Sequence, residues 1–223
     1  MRNHSLDLVL RFDAERVYVD HQEPARYVIE HSGVLDLVDE DDEVVETIGS
    51  FSAIVVDAIA ALVDKESPFD VFDSYSITFG FFENLYESNG GDFKEKVIKT
   101  VGEDNFLWNP NLLILNRLVV TPEHRGHGIG LLALRTLIQR FGIGVGVVAM
   151  KPFPLQFEAA SLDDPETCAR LGFDQFNLTQ SKATAKLRKY YGRLGFKKVP
   201  GSEMMIRGLD VPLPLLDAYS DAT

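Results

Sequence analysis

One segment constrains the fold of this chain more than any other: a buried strand, a glycine loop and a helix follow one another without interruption. Asn111–Val120 is an apolar run broken by only two polar residues, which is typical of a central strand covered on both faces. Ile129–Phe141 is apolar on most sides, which predicts a well-buried helix, and Gly142 is a natural residue for its C-terminal end. The loop Thr121–Gly130 joins the two.

The loop Thr121–Gly130 has the composition of an anion site. Glycine permits close approach of a ligand and positive φ angles, and the first turn of the following helix adds free N–H groups and the positive end of its dipole. Arg125 can add a charge-assisted contact, and the whole suits a pyrophosphate. The loop is not a Walker loop, since no Gly-Lys-Ser/Thr follows, and its spacing differs from the dinucleotide fingerprint. A structural turn without a ligand is the alternative.

Two motifs in the right order make the interpretation more specific. Leu118–Gly130 has the sequence Leu-Val-Val-Thr-Pro-Glu-His-Arg-Gly-His-Gly-Ile-Gly and closely resembles motif A of the GNAT superfamily of N-acetyltransferases. Tyr191–Phe196 has the sequence Tyr-Gly-Arg-Leu-Gly-Phe and resembles the end of that family's motif B helix. The resemblance extends over Leu112–Val199.

The resemblance implies an acetyl-CoA-dependent N-acetyltransferase, which transfers an acetyl group directly to a primary amine in a ternary complex. Acetyl-CoA is then a co-substrate, and no metal is needed. In the family, two central strands splay apart to admit the pantetheine arm, and here they are Asn111–Val120 and Val145–Met150. The matching positions are Leu118, Val119 and Val120 for the arm, and Arg125, Gly126, His127, Gly128, Ile129, Gly130 and Leu131 for the pyrophosphate.

Tyr191 is the candidate catalytic residue. In the family, a tyrosine near the end of motif B protonates or hydrogen-bonds the thiolate leaving group, and Tyr191 matches that position. Helical spacing places Tyr190 on an apolar stripe, so Tyr190 is predicted to pack into the core. Tyr191 lies about 100° further round the helix, where it is better placed to reach a groove. Thr184 stands where the family often has asparagine.

The sequence does not identify a general base. Glu83, Glu87 and Asn116 are candidates, the last only as a residue that holds a water molecule. The two histidines of the loop are expected to be spacers or surface residues. Cys168 is the single cysteine, which excludes an intramolecular disulfide, and it has no histidine nearby in the sequence to activate it as a nucleophile.

The chain carries a net charge of −12, from 22 basic and 34 acidic residues. This balance argues against nucleic acid as the main partner, because nucleic-acid binders usually carry a basic face. It suits a cationic or amine acceptor through electrostatic steering, although solubility alone also explains it. The longest apolar stretch, Ala53–Val63, is too short to span a bilayer, so we expect a cytoplasmic protein without a membrane partner. A homodimer is left open.

We expect an α+β fold in a single domain, 1–223. By resemblance, a mixed, largely antiparallel central sheet with splayed central strands is flanked by helices. The motif core is 111–207, a helical insertion covers about 67–101, and a loosely ordered tail covers 209–223. Further strands are predicted at Leu6–Phe12, Arg16–Val19, Ala25–Val38, Val44–Val56, Phe196–Val199 and Met204–Arg207. Further helices are predicted from Ser67 onward and at Asp92–Val101, Pro165–Leu171 and Ser181–Leu194.

The acceptor is the part of the reaction that the sequence leaves open, and a small-molecule or peptide amine is expected. Ser67–Val101 is unusually aromatic, and together with Phe153–Asn177 it is a candidate wall of the acceptor pocket. The alternative is a packing block that completes the core. Rival functions are transfer of another acyl group or transfer to a hydroxyl, and a CoA-binding sensor or module without turnover.

Overall fold

The apolar runs of the chain form the strands of one mixed sheet. The computed structural model describes residues 6–16, 23–102, 109–158, 165–173, 176–209 and 212–214. Its strands are β1 (Asp7–Arg16), β2 (Val28–Val38), β3 (Val44–Val56), β4 (Leu112–Val120), β5 (Val147–Met150), β6 (Lys197–Lys198) and β7 (Met205–Gly208). Their order across the sheet is β1-β2-β3-β4-β5-β7-β6.

All neighbouring strands are antiparallel except β4 and β5, which are parallel. The mixed, largely antiparallel sheet expected from the sequence is therefore confirmed. The parallel pair requires a crossover, and the helix that follows β4 supplies it. This arrangement puts the glycine loop at the end of a central strand.

The helices lie between particular strands. They are α1 (Ala58–Val63), α2 (Pro68–Asp73), α3 (Ser76–Leu85), α4 (Glu95–Val101), α5 (Ile129–Phe141), α6 (Pro165–Arg170) and α7 (Gln180–Gly192). Ser67 caps α2 by accepting a hydrogen bond from the Asp70 N–H, and Pro68 occupies the first turn, as the sequence predicted. No helix in the described ranges is long and apolar enough to cross a membrane.

Alternate residues of β4 separate the two helical layers. Leu113 and Leu115 pack with α5 and with the end of α7, whereas Leu112 and Ile114 pack with α2, α3 and α4. The sheet therefore carries α5 and α7 on one face and the α1–α4 block on the other. A strand covered on both faces explains why its sequence is continuously apolar.

The α1–α4 block belongs to the core. Phe72, Leu85 and Tyr86 are almost completely buried, and the Tyr86 hydroxyl donates a hydrogen bond to the Pro110 carbonyl at 2.6 Å. Burial raises the pKa of Tyr86 well above its usual value. The aromatic density of this segment is thus explained by packing.

Some predicted boundaries were wrong. β1 continues to Arg16 across a register shift after Phe12, and residues 17–19 of the predicted second strand lie outside the described residues. Pro24–Tyr27 forms a short 3-10 helix, so β2 begins later than predicted. In contrast, β3 and α5 have the predicted bounds, and Gly142 ends α5. Of the predicted tail, only 209 and 212–214 are described.

Candidate functional site

A gap between β4 and β5 is the main feature of the sheet. The two strands pair only at Leu112–Ile114 and Val147–Ala149. β4 then continues to Val120, and in the described part of the chain its residues 115–120 are paired only on the β3 side. Six residues of a central strand therefore present an unpaired edge toward the gap.

A β-bulge lies where the two strands part. Ser52 of β3 pairs with Arg117 and Ala53 pairs with Leu115, which leaves Asn116 as an extra residue on β4. A bulge bends its strand and increases the local twist. The bulge and the separation of β4 from β5 therefore occur at the same place along the strand.

A cavity of about 340 Å³ occupies the gap. Leu134 of α5 and Tyr190 of α7 line it from one face of the sheet. Leu155 and Phe173, which pack with Val119, line it from the opposite face. The cavity thus passes between the strands and is lined from both sides of the sheet.

The glycine loop closes one end of this cavity. Gly126 and Gly128 have φ angles of 86° and 74°, in the left-handed region that side chains disfavour. The N–H groups of residues 126–130 have no hydrogen-bond acceptor among the described residues. These five consecutive N–H donors, which have no acceptor in the described ranges, could hold an anion at the start of α5 together with the helix dipole.

Most of the predicted cofactor residues line the cavity. They are Leu118, Val119, Val120, Arg125, Gly126, Gly128, Ile129 and Gly130. His127 is exposed and is not part of the lining. Leu131 is buried in the core, and its N–H donates to the Gly128 carbonyl at 2.9 Å. The binding roles of all these residues stay predictions.

Arg125 makes contacts within the protein. Its Nε donates to the Val120 carbonyl at 2.8 Å, and its Nη2 donates to the Leu171 carbonyl at 2.7 Å. The guanidinium also lies over the rings of Phe173 and Phe176, at 5.9 Å and 5.2 Å from their centroids. Burial lowers the pKa of Arg125, and Glu123 partly opposes this. Arg125 therefore ties the loop to the segment that follows α6.

Gly130 meets a tyrosine of α7. A Cβ at Gly130 would lie 2.8 Å from the Tyr190 hydroxyl oxygen, so only glycine leaves room for this contact. Burial raises the pKa of Tyr190 above its usual value, and a hydrogen bond with the Leu131 backbone only partly opposes this increase. The start of α5 and the end of α7 are thereby held together beside the cavity.

The helical spacing predicted that Tyr190 packs into the core and that Tyr191 reaches a groove, but the two side chains have similar surroundings. Both pack against the core beside α5, and both line the cavity, with ring centroids 5.6 Å apart. Burial raises the pKa of Tyr191 to about 12. The Tyr191 hydroxyl has no hydrogen-bond partner among the residues of the described ranges. Tyr191 therefore lines the cavity with a hydroxyl that stays protonated at neutral pH.

Of the three candidates for a general base, one lines the cavity and two do not. Asn116 lines the cavity, and its Nδ2 donates to the Ser52 hydroxyl at 2.9 Å. Glu83 and Glu87 lie at the end of α3, and neither is part of the lining. Cys168 packs beside Val119 and is also outside the lining.

Only one of the two proposed wall segments lines the cavity. Phe153, Leu155, Phe173 and Phe176 contribute to the lining from within 153–177. Residues 159–164 and 174–175 of that segment lie outside the described residues. No residue of 67–101, which is described throughout, lines the cavity. That block is packing structure, so its proposed role at the cavity is not supported.

Sequence reasoning missed several polar residues of the site. Arg117 Nη1 lies 2.7 Å from Glu158 Oε2, and Lys151 Nζ lies 2.8 Å from Glu203 Oε2. Arg117, Lys151 and Ser52 all line the cavity. The position of Lys151 directly after a buried strand was the one available signal in the sequence.

Searches against protein-family models, curated proteins and solved structures find no match for the chain. In the ranges that the structure describes, no group of three or more histidine, cysteine or carboxylate side chains could hold a metal ion.

Proposed function

We propose that this chain is an acetyl-CoA-dependent N-acetyltransferase of the GNAT type that transfers an acetyl group directly to a primary amine. One observation carries the proposal: the unpaired edge of β4 leads directly into a run of free N–H groups, and a partly buried tyrosine, Tyr191, lines the same cavity. The two sequence motifs that resemble that superfamily contain these elements in the same order: the strand end and the loop in Leu118–Gly130, and the tyrosine in Tyr191–Phe196.

The unpaired edge of β4 fits an extended ligand that carries amide groups. Apart from the Val120 carbonyl, which accepts a hydrogen bond from Arg125, residues 115–120 offer backbone donors and acceptors at the spacing of a strand, about 3.3 Å per residue, or about 20 Å in all. An extended amide chain can bind such an edge as an added strand would. The pantetheine arm of CoA has this chemistry.

The free N–H groups of residues 126–130 fit the pyrophosphate of the same ligand. They lie at the start of α5, where the helix dipole also favours negative charge. Arg125 supports this loop by its bond to the Leu171 carbonyl. The donors are therefore held in place before a ligand arrives.

Tyr191 is the proposed acid. Acetyl-CoA supplies an activated acyl group as a thioester. The high pKa of Tyr191, about 12, keeps the hydroxyl protonated at neutral pH, so it can hold a proton for the departing sulfur. The apolar side chains of the lining, such as Leu134 and Phe173, limit the access of water to the reacting atoms.

Thiol release with acetyl-CoA and a panel of primary amines tests the reaction. We expect Tyr191→Phe to lower turnover by about 10²-fold, the lower end of the usual range for general acid catalysis. Tyr190→Phe is the matched neighbour, and we expect it to have a smaller effect. Unchanged turnover in Tyr191→Phe excludes Tyr191 as the acid.

Thermal unfolding tests donor binding separately. A ligand at 100 times its dissociation constant stabilises the native state by about 2.7 kcal/mol. For a chain of this length, that corresponds to a Tm rise of about 5–11 °C. Stabilisation by CoA without thiol release from any amine favours a CoA-binding module, and no stabilisation removes the proposal.

A further inference from the structure

The charged side chains that line the cavity are all basic. The cavity contains no Asp or Glu in its described lining, although the chain has 34 acidic and 22 basic residues. The basic lining residues are Arg117, His124, Arg125, Lys151 and Lys186. The sign of the charge inside the cavity is therefore opposite to that of the chain as a whole.

Three of these basic residues, Arg125, His124 and Lys186, belong to the glycine loop or to α7. Arg125 binds the Val120 and Leu171 carbonyls. His124 Nδ1 lies 3.0 Å from the Thr121 hydroxyl, within the loop itself. Lys186 is an exposed residue of α7. Arg117 and Lys151 are the two that remain.

Arg117 and Lys151 flank the point where β4 and β5 part. The last paired residues are Ile114 and Ala149, so Lys151 is two residues beyond the pairing and Arg117 is three beyond it. Arg117 is also three residues before Val120, about 10 Å along an extended strand. The two cations thus lie at the opposite end of the gap from the glycine loop, where the donor's reacting group is expected.

Both cations can accept a further anionic partner. The Glu203 side chain that pairs with Lys151 is 71% exposed, and such exposed pairs are weak and easily exchanged. Arg117 contacts Glu158 through Nη1, and a guanidinium has five N–H donors in all. A carboxylate in the gap can therefore be bound by Lys151, by Arg117 or by both.

We propose that the acceptor of this site is a primary amine that also carries a carboxylate, as an amino acid does, and that Lys151 and Arg117 bind this carboxylate. The inference rests on the proposed function. The two cations also disfavour a protonated amine beside them, which helps to keep the attacking amine neutral. The net charge of −12 suggested a cationic acceptor, and the local charge of the cavity favours the opposite.

Matched acid and amide pairs test the proposal. Phenylalanine and phenylalaninamide, and glycine and glycinamide, differ only in the carboxylate. Limiting kcat/KM at high pH is compared, because the amines of each pair have different pKa values. We expect the acid to be favoured by at least about tenfold, the factor that corresponds to about 1.4 kcal/mol.

Variants and a binding measurement complete the test. Lys151→Gln and Arg117→Gln should each reduce the acid-to-amide ratio toward one, whereas Lys197→Gln, an exposed residue of β6 outside the lining, should leave it unchanged. Binding of N-acetylphenylalanine and its amide to the CoA-loaded protein gives the same ratio without turnover. A ratio near one in the unmodified protein, by rates or by binding, overturns the inference. Absence of turnover with every amine refutes the proposed function, and the binding ratio then decides the inference alone.

Discussion

Replacement of Arg125 by lysine distinguishes a structural role of this residue, as a link between the loop and residues 171–176, from a role as a direct ligand of the phosphates. Lysine keeps the positive charge but lacks the planar fork of donors. Arg125 uses Nε for the Val120 carbonyl and Nη2 for the Leu171 carbonyl, and a single ammonium group cannot reproduce both bonds with the same geometry. If the side chain acts mainly as a link between the loop and residues 171–176, Arg125→Lys destabilises the protein even without a ligand.

The magnitude follows from the contacts that are lost. A hydrogen bond to a charged group contributes about 1.5–3 kcal/mol, and Arg125 is partly exposed, which favours the lower end. Lysine can retain one of the two bonds. The loss of the other hydrogen bond costs about 1.5 kcal/mol, and the weaker contact with the Phe173 and Phe176 rings costs about 0.5 kcal/mol. The free energy of unfolding should therefore decrease by about 2 kcal/mol. This corresponds to a Tm decrease of about 4–8 °C.

Thermal unfolding of the ligand-free protein measures this effect. Arg170→Lys is the matched control, because Arg170 is an exposed residue of α6. CoA titration by calorimetry then reports whether the donor site is also weakened. If Arg125→Lys and Arg170→Lys unfold at the same temperature while only the former loses CoA affinity, the reasoning is refuted and Arg125 acts as a direct ligand of the phosphates.

Three further outcomes are expected. Gly130→Ala should cost about 1–3 kcal/mol of stability by overpacking against Tyr190, and Tyr190→Phe should relieve part of that cost in a double-mutant cycle measured by urea unfolding. Burial lowers the folded-state pKa of His31 below its unfolded value, so its contribution to stability is present above about pH 6.5 and is lost as the pH falls through the folded pKa. His31→Phe should therefore reduce the loss of stability between pH 7.5 and about pH 5, by urea unfolding. The pH–rate profile should show no fall due to Tyr191 below about pH 11, because its pKa is raised to about 12; a Tyr191-dependent fall near pH 10 contradicts this assignment.

Local patterns predicted the central elements well. β3 and α5 have the predicted bounds because their apolar periodicity is strong and because turn or glycine residues stand at their ends. The strand β1 was less predictable. It is an edge strand in which Val9 and Phe12 are exposed, so its sequence carries little contrast between a buried and an exposed face.

The candidate site was predictable only where its residues are adjacent in the sequence. The glycine loop is one continuous segment, and its free N–H groups follow from its position before a helix. The partner of Arg125 is Leu171, 46 positions away, and no local pattern indicates such a contact. The basic lining was hidden for the same reason, since Arg117 lies on β4, Lys151 follows β5, and their charges are outnumbered in the composition.

The gap itself has a local cause that connects these observations. Lys151-Pro152-Phe153-Pro154 follows β5 directly, and proline cannot donate a hydrogen bond to a neighbouring strand. β5 therefore ends at Met150, while β4, held by β3 on its other side, continues for six residues beyond the last pair. A central strand with an unsatisfied edge needs a partner, and the protein places apolar walls and free N–H groups around that edge, with no strand of its own there in the described residues. The same two prolines that leave the edge unpaired also place Lys151 at its beginning, so the end of one strand determines both the position of the proposed donor site and the charge that the proposed acceptor meets.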